Sequence, residues 1–282
     1  MSWSKVKTML IILFIFVNGF MLYNLYFKQG SSPEVSAETV ADTVSLMENN
    51  NVTIDPAIIR RKANRLRKAE ISNSIDARST LAENLLGSCI ETETGYISDE
   101  GKLTFNSVAF SFENYNSEYA KPGINENNAI NLAADLLVQK GFDVKKSGIR
   151  DFYSSETGFV AKFGKDVDGF PVYECYLHIY ISPEGVVTRI DGYWPEVFRD
   201  NYGSAVTCIN ETAVLINLLT AQGFDTSKKN EVVDIQTGYT LGGLPESDSP
   251  IMLTLLPSYR VILKNGENYI FNAENGEFIY EY

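Results

Sequence analysis

Histidine is nearly absent from this sequence: His178 is the only one among 282 residues. A lone histidine rules out a zinc site built on two histidines of one chain. A Ser–His–Asp triad would need His178 and a serine that nothing in the sequence marks. Cysteine is scarce too. Cys89, Cys175 and Cys208 are too few for a disulfide scaffold and leave one unpaired. Their expected role is as small buried apolar residues, with a single bridge between two of them left open. There is no Gly-rich phosphate loop, no H-E-x-x-H and no G-x-S-x-G. Basic residues are outnumbered, 24 Lys and Arg against 36 Asp and Glu, for a net charge of −12. Phosphate recognition needs the opposite sign, so nucleic acid is not expected as a partner. No cofactor or metal is expected, and the residues make no case for an enzyme.

Charge is wholly absent from Met9 to Phe27. Roughly 19 residues at about 1.5 Å each reach about 28 Å, close to the thickness of a hydrocarbon core. Trp3 before the run and Tyr23 and Tyr26 at its end stand where interfacial aromatics belong, and Lys5 and Lys7 favour an inside N-terminus. The expectation is a single-pass anchor over 9–27, with a cytoplasmic N-terminus over 1–8 and an extracytoplasmic C-terminal domain. The competing reading is a cleaved signal peptide. Its small-residue pattern, Val35-Ser36-Ala37, lies about ten residues past the apolar run. On one face of the helix, Phe14, Asn18, Met21 and Leu25 recur at three- and four-residue spacing, with Gly19 alongside. An Asn amide near mid-bilayer is costly to leave unpaired, so these residues form a candidate contact for a partner helix.

Residues 28–51 read as a polar stalk that opens with Gly30-Ser31-Ser32-Pro33. It then turns into a short helix with Val40, Val44 and Met47 on one side. Residues 52–122 form a first α+β region. Within it, 57–71 fits both a helix and a strand: Ile59, Ala63 and Leu66 have helical spacing, while Arg65, Arg67, Ala69 and Ile71 alternate. The same stretch holds Arg60, Arg61, Lys62, Arg65, Arg67 and Lys68, a basic patch suited to anionic lipid headgroups or an acidic partner, or else a solvated face. A short helix is expected over 80–86. A hairpin from Ser88 to Phe112 would turn at Asp99-Glu100-Gly101.

The most informative feature is an internal repeat. Ile124-Asn125-Glu126 opens an amphipathic helix that closes at Gly141-Phe142-Asp143. Ile209-Asn210-Glu211 opens another that closes at Gly223-Phe224-Asp225. Asn125 and Asn210 suit the N-cap, the acid after each suits the helix dipole, and both glycines suit a left-handed C-cap. Strand-rich sequence follows each helix. Val172–Ile181 alternates, with Tyr173, Cys175, Leu177, Ile179 and Ile181 on one face and Glu174, Tyr176, His178 and Tyr180 on the other. It turns at Pro183-Glu184-Gly185. In the second copy, Tyr259–Leu263 turns at Asn265-Gly266 and a further strand follows Asn275-Gly276. The fold class is therefore α+β, repeated helix-plus-antiparallel-sheet units over 123–200 and 201–282 behind a membrane helix. The fragment Ser88–Phe112 with its helix is a reduced third copy.

Paired carboxylates such as Glu91 with Glu93, or Asp166 with Asp168, could do acid–base work or bind calcium. However, a calcium loop starting at Asp166 would need a distal Glu where Leu177 stands, so the pair reads as a hairpin turn. His178, beside Tyr176 and Tyr180, reads as a sheet residue.

Two stretches resemble a known family. Met1-Ser2-Trp3-Ser4-Lys5-Val6-Lys7-Thr8, running into Ile11-Ile12-Leu13-Phe14 and Tyr23, is similar to the start of the YycI proteins of Gram-positive bacteria. Ser2 departs from their Asp or Asn. Pro257-Ser258-Tyr259-Arg260-Val261, with Tyr269-Ile270-Phe271-Asn272-Ala273-Glu274-Asn275-Gly276-Glu277, resembles that family's ending, which PepSY-type domains share. The resemblance implies a non-enzymatic accessory protein. With a YycH sister protein it would modulate the membrane sensor histidine kinase WalK (also YycG), of the two-component system that governs cell-wall metabolism. The implied partners are that kinase, the sister protein and membrane lipids. The rival readings are a PepSY-like inhibitor of an extracytoplasmic peptidase and, last, a cell-wall hydrolase using a carboxylate pair in a deep acidic cleft.

Overall fold

The first elements after the apolar run are not a free-standing stalk. In the computed structural model, which describes residues 7, 13–19, 34–72, 75–115, 124–145, 148–198, 205–242 and 252–281, helix α1 spans Ala37–Asn49. Ser36 caps it by accepting from the Thr39 amide at 3.0 Å, and Val40, Thr43 and Met47 form its buried stripe. Strand β1 (Val52–Ile54) follows, then a single 3₁₀ turn, Pro56–Ile58, whose Asp55 cap accepts from the Ala57 amide. The ambiguous stretch then resolves as strands β2 (Arg65–Arg67) and β3 (Ala69–Ser72). Alternation wins because Leu66, Ala69 and Ile71 are buried while Arg65 and Arg67 stay exposed, and because distant strands supply pairing edges.

Three helix-plus-meander units come next. The first is α2 (Ile75–Leu86) with β4 (Ile90–Thr92), β5 (Gly95–Ile97), β6 (Gly101–Asn106) and β7 (Ala109–Asn114). The second is α3 (Glu126–Gln139) with β8 (Ile149–Ser155), β9 (Gly158–Val167), β10 (Phe170–Ile181) and β11 (Val187–Tyr193). After the short strands β12 (Glu196–Phe198) and β13 (Ala205–Thr207), the third is α4 (Glu211–Leu218) with β14 (Asn230–Thr240), β15 (Met252–Leu263), β16 (Asn268–Asn272) and β17 (Phe278–Glu281). In each unit the four strands pair antiparallel in chain order. The fragment expected as a reduced copy is thus a full one. Its expected two strands are four, because extra turns fall at Glu93-Thr94 and at Ser107-Val108, where Ser107 takes a φ of 55°.

Units one and two are fused edge to edge. Their last strands, β7 and β11, pair antiparallel, Phe112 opposite Ile190, so the strand run is β4-β5-β6-β7-β11-β10-β9-β8. Equivalent strands meeting head to tail give the pair a local twofold. Both helices contribute to one core that includes Leu85, Ala133, Leu137, Phe163, Leu177 and Ile179. Unit three is completed from the other end of the chain. β1 pairs parallel with the start of β14, β3 pairs with the start of β15, β12 lies beyond β3, and β13 pairs with β2. Val40, Met47, Val52 and Ile54 join Leu215, Val261 and Phe271 in this second core. Burying each such side chain contributes about 1.5–3 kcal/mol. The strand run passes from one half to the other at a parallel bridge, Val172 opposite Tyr239.

The caps behave largely as their residue types require. Asn125 accepts from the Asn128 amide at 2.9 Å, and Gly141, just past α3, takes a φ of 83°, the left-handed region that ends a helix. Gly223 has a φ of 88° too, but α4 ends earlier than expected, at Leu218, with Leu219 as an αR C-cap, so Gly223 shapes the following turn instead. Asn210 occupies the N-cap but makes no capping bond. Asp168 and Gly169, both at positive φ, form the β9–β10 hairpin turn expected from the sequence. Leu13–Gly19 is helical, whereas most of the apolar run lies outside the described residues. Among the described residues no helix is long and apolar enough to cross a membrane.

Candidate functional site

A bulge in β10 corrects the expected face of Glu174. The pairing with β9 shifts between Val172 and Tyr176, so Glu174 and Cys175 are both buried, Glu174 to 4 % exposure. Beyond the bulge the expected alternation holds, with Cys175, Leu177, Ile179 and Ile181 inside and Tyr176, His178 and Tyr180 half-buried. Glu174 Oε1 accepts from the Tyr280 hydroxyl at 2.6 Å, the Leu241 amide at 3.1 Å and the Thr240 hydroxyl. Beside it, the Tyr173 hydroxyl donates to the Gln236 carbonyl at 2.8 Å under the Arg260 guanidinium, 4.7 Å from the ring centre. This joint fastens unit two to unit three.

A second polar knot binds the N-terminal segment to unit three. The Arg60 amide donates to Glu211 Oε2 at 2.6 Å, and its guanidinium lies 3.4 Å from Oε1. Arg60 and Asn64 both donate to the Thr237 hydroxyl, at 3.2 and 2.7 Å. Glu211 is 2 % exposed, and burial pushes its carboxyl up to about 7 against the pull of the Arg60 amide and charge. In the sequence it is only a first-turn acid, and nothing there signals its burial.

A cleft of about 640 Å³ opens where the first two units meet β12. Its floor is aromatic: Phe142 stacks on Phe110 at 6.2 Å and meets Trp194 edge-on at 6.3 Å, with Phe105 nearby. Arg78 lies 4.9 Å over Phe105 and donates to the Ser107 carbonyl, while Lys165 lies 4.7 Å over Trp194 and donates to the Pro195 carbonyl. Lys140 donates to the Leu85 carbonyl at 2.7 Å. Asp143, Asp166 and Glu196 complete the lining, so both signs of charge are present and the cleft is not an acidic one. Such a junction between packed units is where ligand sites concentrate. Sequence reasoning passed over it. The available signal was aromatic residues directly after element ends, Phe142 after α3 and Trp194 after β11.

The sequence-derived site residues do not converge on this cleft. Arg60 is held by Glu211, Arg61 faces Glu34 at 3.2 Å and Lys68 faces Glu274 at 2.8 Å. Lys62, Arg65 and Arg67 are exposed, so half of the basic patch is neutralised within the chain. Phe14 is 70 % exposed, and the Asn18 amide donates to the Phe14 carbonyl of its own helix at 3.0 Å, while Gly19 has open space around it. Met21 and Leu25 lie outside the described residues. His178 stacks beside Tyr176 at 4.8 Å, and burial and Lys162 lower its pKa, opposed by Asp191. Cys89, Cys175 and Cys208 are unbridged, and burial raises the Cys175 thiol. Among the described residues no three His, Cys, Asp or Glu side chains gather as a metal site.

No protein-family model matches the chain, and no curated protein does. Among solved structures, it is similar to an uncharacterised protein from Eubacterium rectale ATCC 33656. That match has a TM-score of 0.50 at 13 % identity, over 86 % of this chain and 98 % of the other. It also matches the Bacillus megaterium YpeB C-terminal domain, with a TM-score of 0.39 at 14 % identity, over 74 % and 96 %. At such identities the first likeness speaks to fold alone, and the second carries no further weight.

Proposed function

We propose that the protein is a membrane-anchored extracytoplasmic accessory protein that regulates a sensor histidine kinase of cell-wall metabolism. It acts by protein contacts, together with a YycH-like sister protein. The observation that carries this reading is mechanical. The segment just beyond the apolar run is woven into the C-terminal unit through α1, β1 and β3. A partner that grips the outer domain therefore acts directly on the chain leading to the membrane. Such a partner shifts the kinase only by binding one of its states better. Phe14, Asn18, Gly19, Met21 and Leu25 would meet the kinase helices, and Lys62, Arg65 and Arg67 would meet lipid headgroups or an acidic partner.

The test is copurification from detergent-solubilised membranes, with partners identified by mass spectrometry. Recovery of the kinase and the sister protein supports the reading, and recovery of neither overturns it. Replacing the membrane helix with an unrelated anchor then separates contact from tether, since unchanged kinase reporter output leaves the helix a tether only. One observation favours the peptidase-inhibitor reading. Among the described residues β4 ends its sheet and is exposed throughout, with Ile90 at 73 %, in the form of a strand a peptidase could grip. Stoichiometric inhibition of a secreted peptidase would select it.

A further inference from the structure

The aromatic cleft has a feature that a general apolar hollow lacks. One wall is β12, which ends its sheet: it pairs with β3 on one side and has no strand on the other among the described residues, and Glu196 and Val197 line the cleft. An open strand edge offers alternating amide and carbonyl groups to an added strand. The residues leading into β12 are held in place. The Lys165 ammonium bonds the Pro195 carbonyl at 2.7 Å while covering the Trp194 ring, and Trp194 is braced by Phe142.

We propose that this cleft receives an extended peptide segment of a partner protein. Its backbone continues the sheet from β12, and one bulky apolar side chain enters the pocket of Phe105, Phe110, Phe142 and Trp194. The charges fit that occupant better than the alternatives. Arg78 and Lys165 lie over aromatic faces and bond carbonyl oxygens, so they frame the pocket rather than wait for an anion. Asp143 and Glu196 are exposed at the rim, which suits a segment carrying positive as well as negative side chains. A lipid chain would use the aromatic floor but leave the strand edge unpaired. The site is independent of the kinase reading, because any partner with such a segment would fill it.

Trp194 makes the test direct. The chain has two tryptophans, and Trp3→Phe leaves Trp194 as the sole emitter. The full chain with that change, in lipid nanodiscs, is titrated with the acetylated, amidated pentapeptide Lys-Val-Phe-Val-Glu. Parallel titrations use its analogue with proline in place of both valines, and sodium octanoate. A saturable shift of Trp194 emission is expected with the pentapeptide at concentrations up to about 1 mM, a modest affinity suited to so small a ligand. The proline analogue, stripped of two amide donors, should bind at least about tenfold more weakly. Thr80→Tyr, at an exposed position of the lining, fills the cleft from outside the core and should abolish the shift while the melting temperature stays unchanged. The proposal is overturned if the pentapeptide produces no saturable change. Octanoate binding as tightly as the peptide, or Thr80→Tyr binding like the parent, overturns it equally.

Discussion

The core shared by the first two units and the core of the third are built by different means. Among the described residues, every buried side chain of the shared core is apolar, from Ala82 and Leu85 through Phe163 to Ile190. Thr43, Glu174, Glu211, Thr212, Thr237, Thr240 and Ser258, the buried polar side chains, all belong to the third unit, to the segment packed on it or to the joint. So do the buried tyrosines Tyr193, Tyr239, Tyr259 and Tyr269. The pattern follows from assembly. Units one and two are sequence neighbours that close on each other through strand pairing, and apolar burial with backbone bonds suffices. The third unit accepts strands from a segment far away in the chain, and directional bonds from Arg60 to Glu211 fix where that segment docks, while those to Glu174 fix unit two on unit three. Apolar contact alone discriminates poorly between registers, whereas a buried carboxylate with specific donors is satisfied in one arrangement only.

The comparison can be broken most forcefully in the apolar core. Ile179→Ala should cost about 3 kcal/mol, within the usual range for truncating a buried aliphatic residue, and should loosen both fused units together. Urea unfolding followed by hydrogen exchange in β6 and β9 would read it. If only β9 lost protection, the two units would not share a cooperative core. Next in size, Glu174→Ala removes the acceptor that the Tyr280 and Thr240 hydroxyls and the Leu241 amide share, at roughly 2 kcal/mol. Here faster exchange should appear around Val172 and Tyr239 while β6 and β7 keep theirs.

A pH series sharpens the contrast further. Glu211 titrates near 7 in the folded chain and near 4.5 when exposed. Between those values the folded chain holds a proton that the unfolded chain has released. Stability should therefore fall as pH rises from about 4.5 to about 7, and the penalty stays in full above that. Glu211→Gln should remove this contribution while keeping an acceptor for the Arg60 amide. Thermal unfolding of both forms from pH 4.5 to 8 checks it, and parallel curves would refute the burial argument. The smallest effect belongs to the surface pair Lys68–Glu274, half-exposed at 2.8 Å. Lys68→Ala should cost less than about 1 kcal/mol, and less still in high salt.

What could be read from the sequence was local. The N-cap and apolar spacing locate the starts of both helices and Gly141 marks the end of 126–139, whereas 211–218 stops short of Gly223, and strict alternation locates the inner half of β10. β8 and β14 escaped because their outward faces carry apolar residues, Tyr153 and Val233, which blur the period of two. The pairing of β7 with β11, and of β1 with β14, depends on contacts that no local pattern encodes. The cleft was illegible for the same reason: Arg78, Phe110, Phe142, Lys165 and Trp194 come from five separate stretches. Glu174 was assigned to the wrong face because a bulge inserts residues that alternation cannot count.

The weaving of β1 into the last unit has a consequence for biosynthesis. Thr53 bonds the carbonyl of Asn230, 177 residues downstream. At synthesis rates of about 5–20 residues per second, β1 and its neighbours wait on the order of ten seconds or more before their edge exists. During that interval Leu66, Ala69 and Ile71 have no native cover, and so high a contact order makes their final docking late and slow. A nascent chain released early, without β14 and β15, would leave β1 and β3 without those partners, an early-synthesised segment whose quality control rests on residues made last.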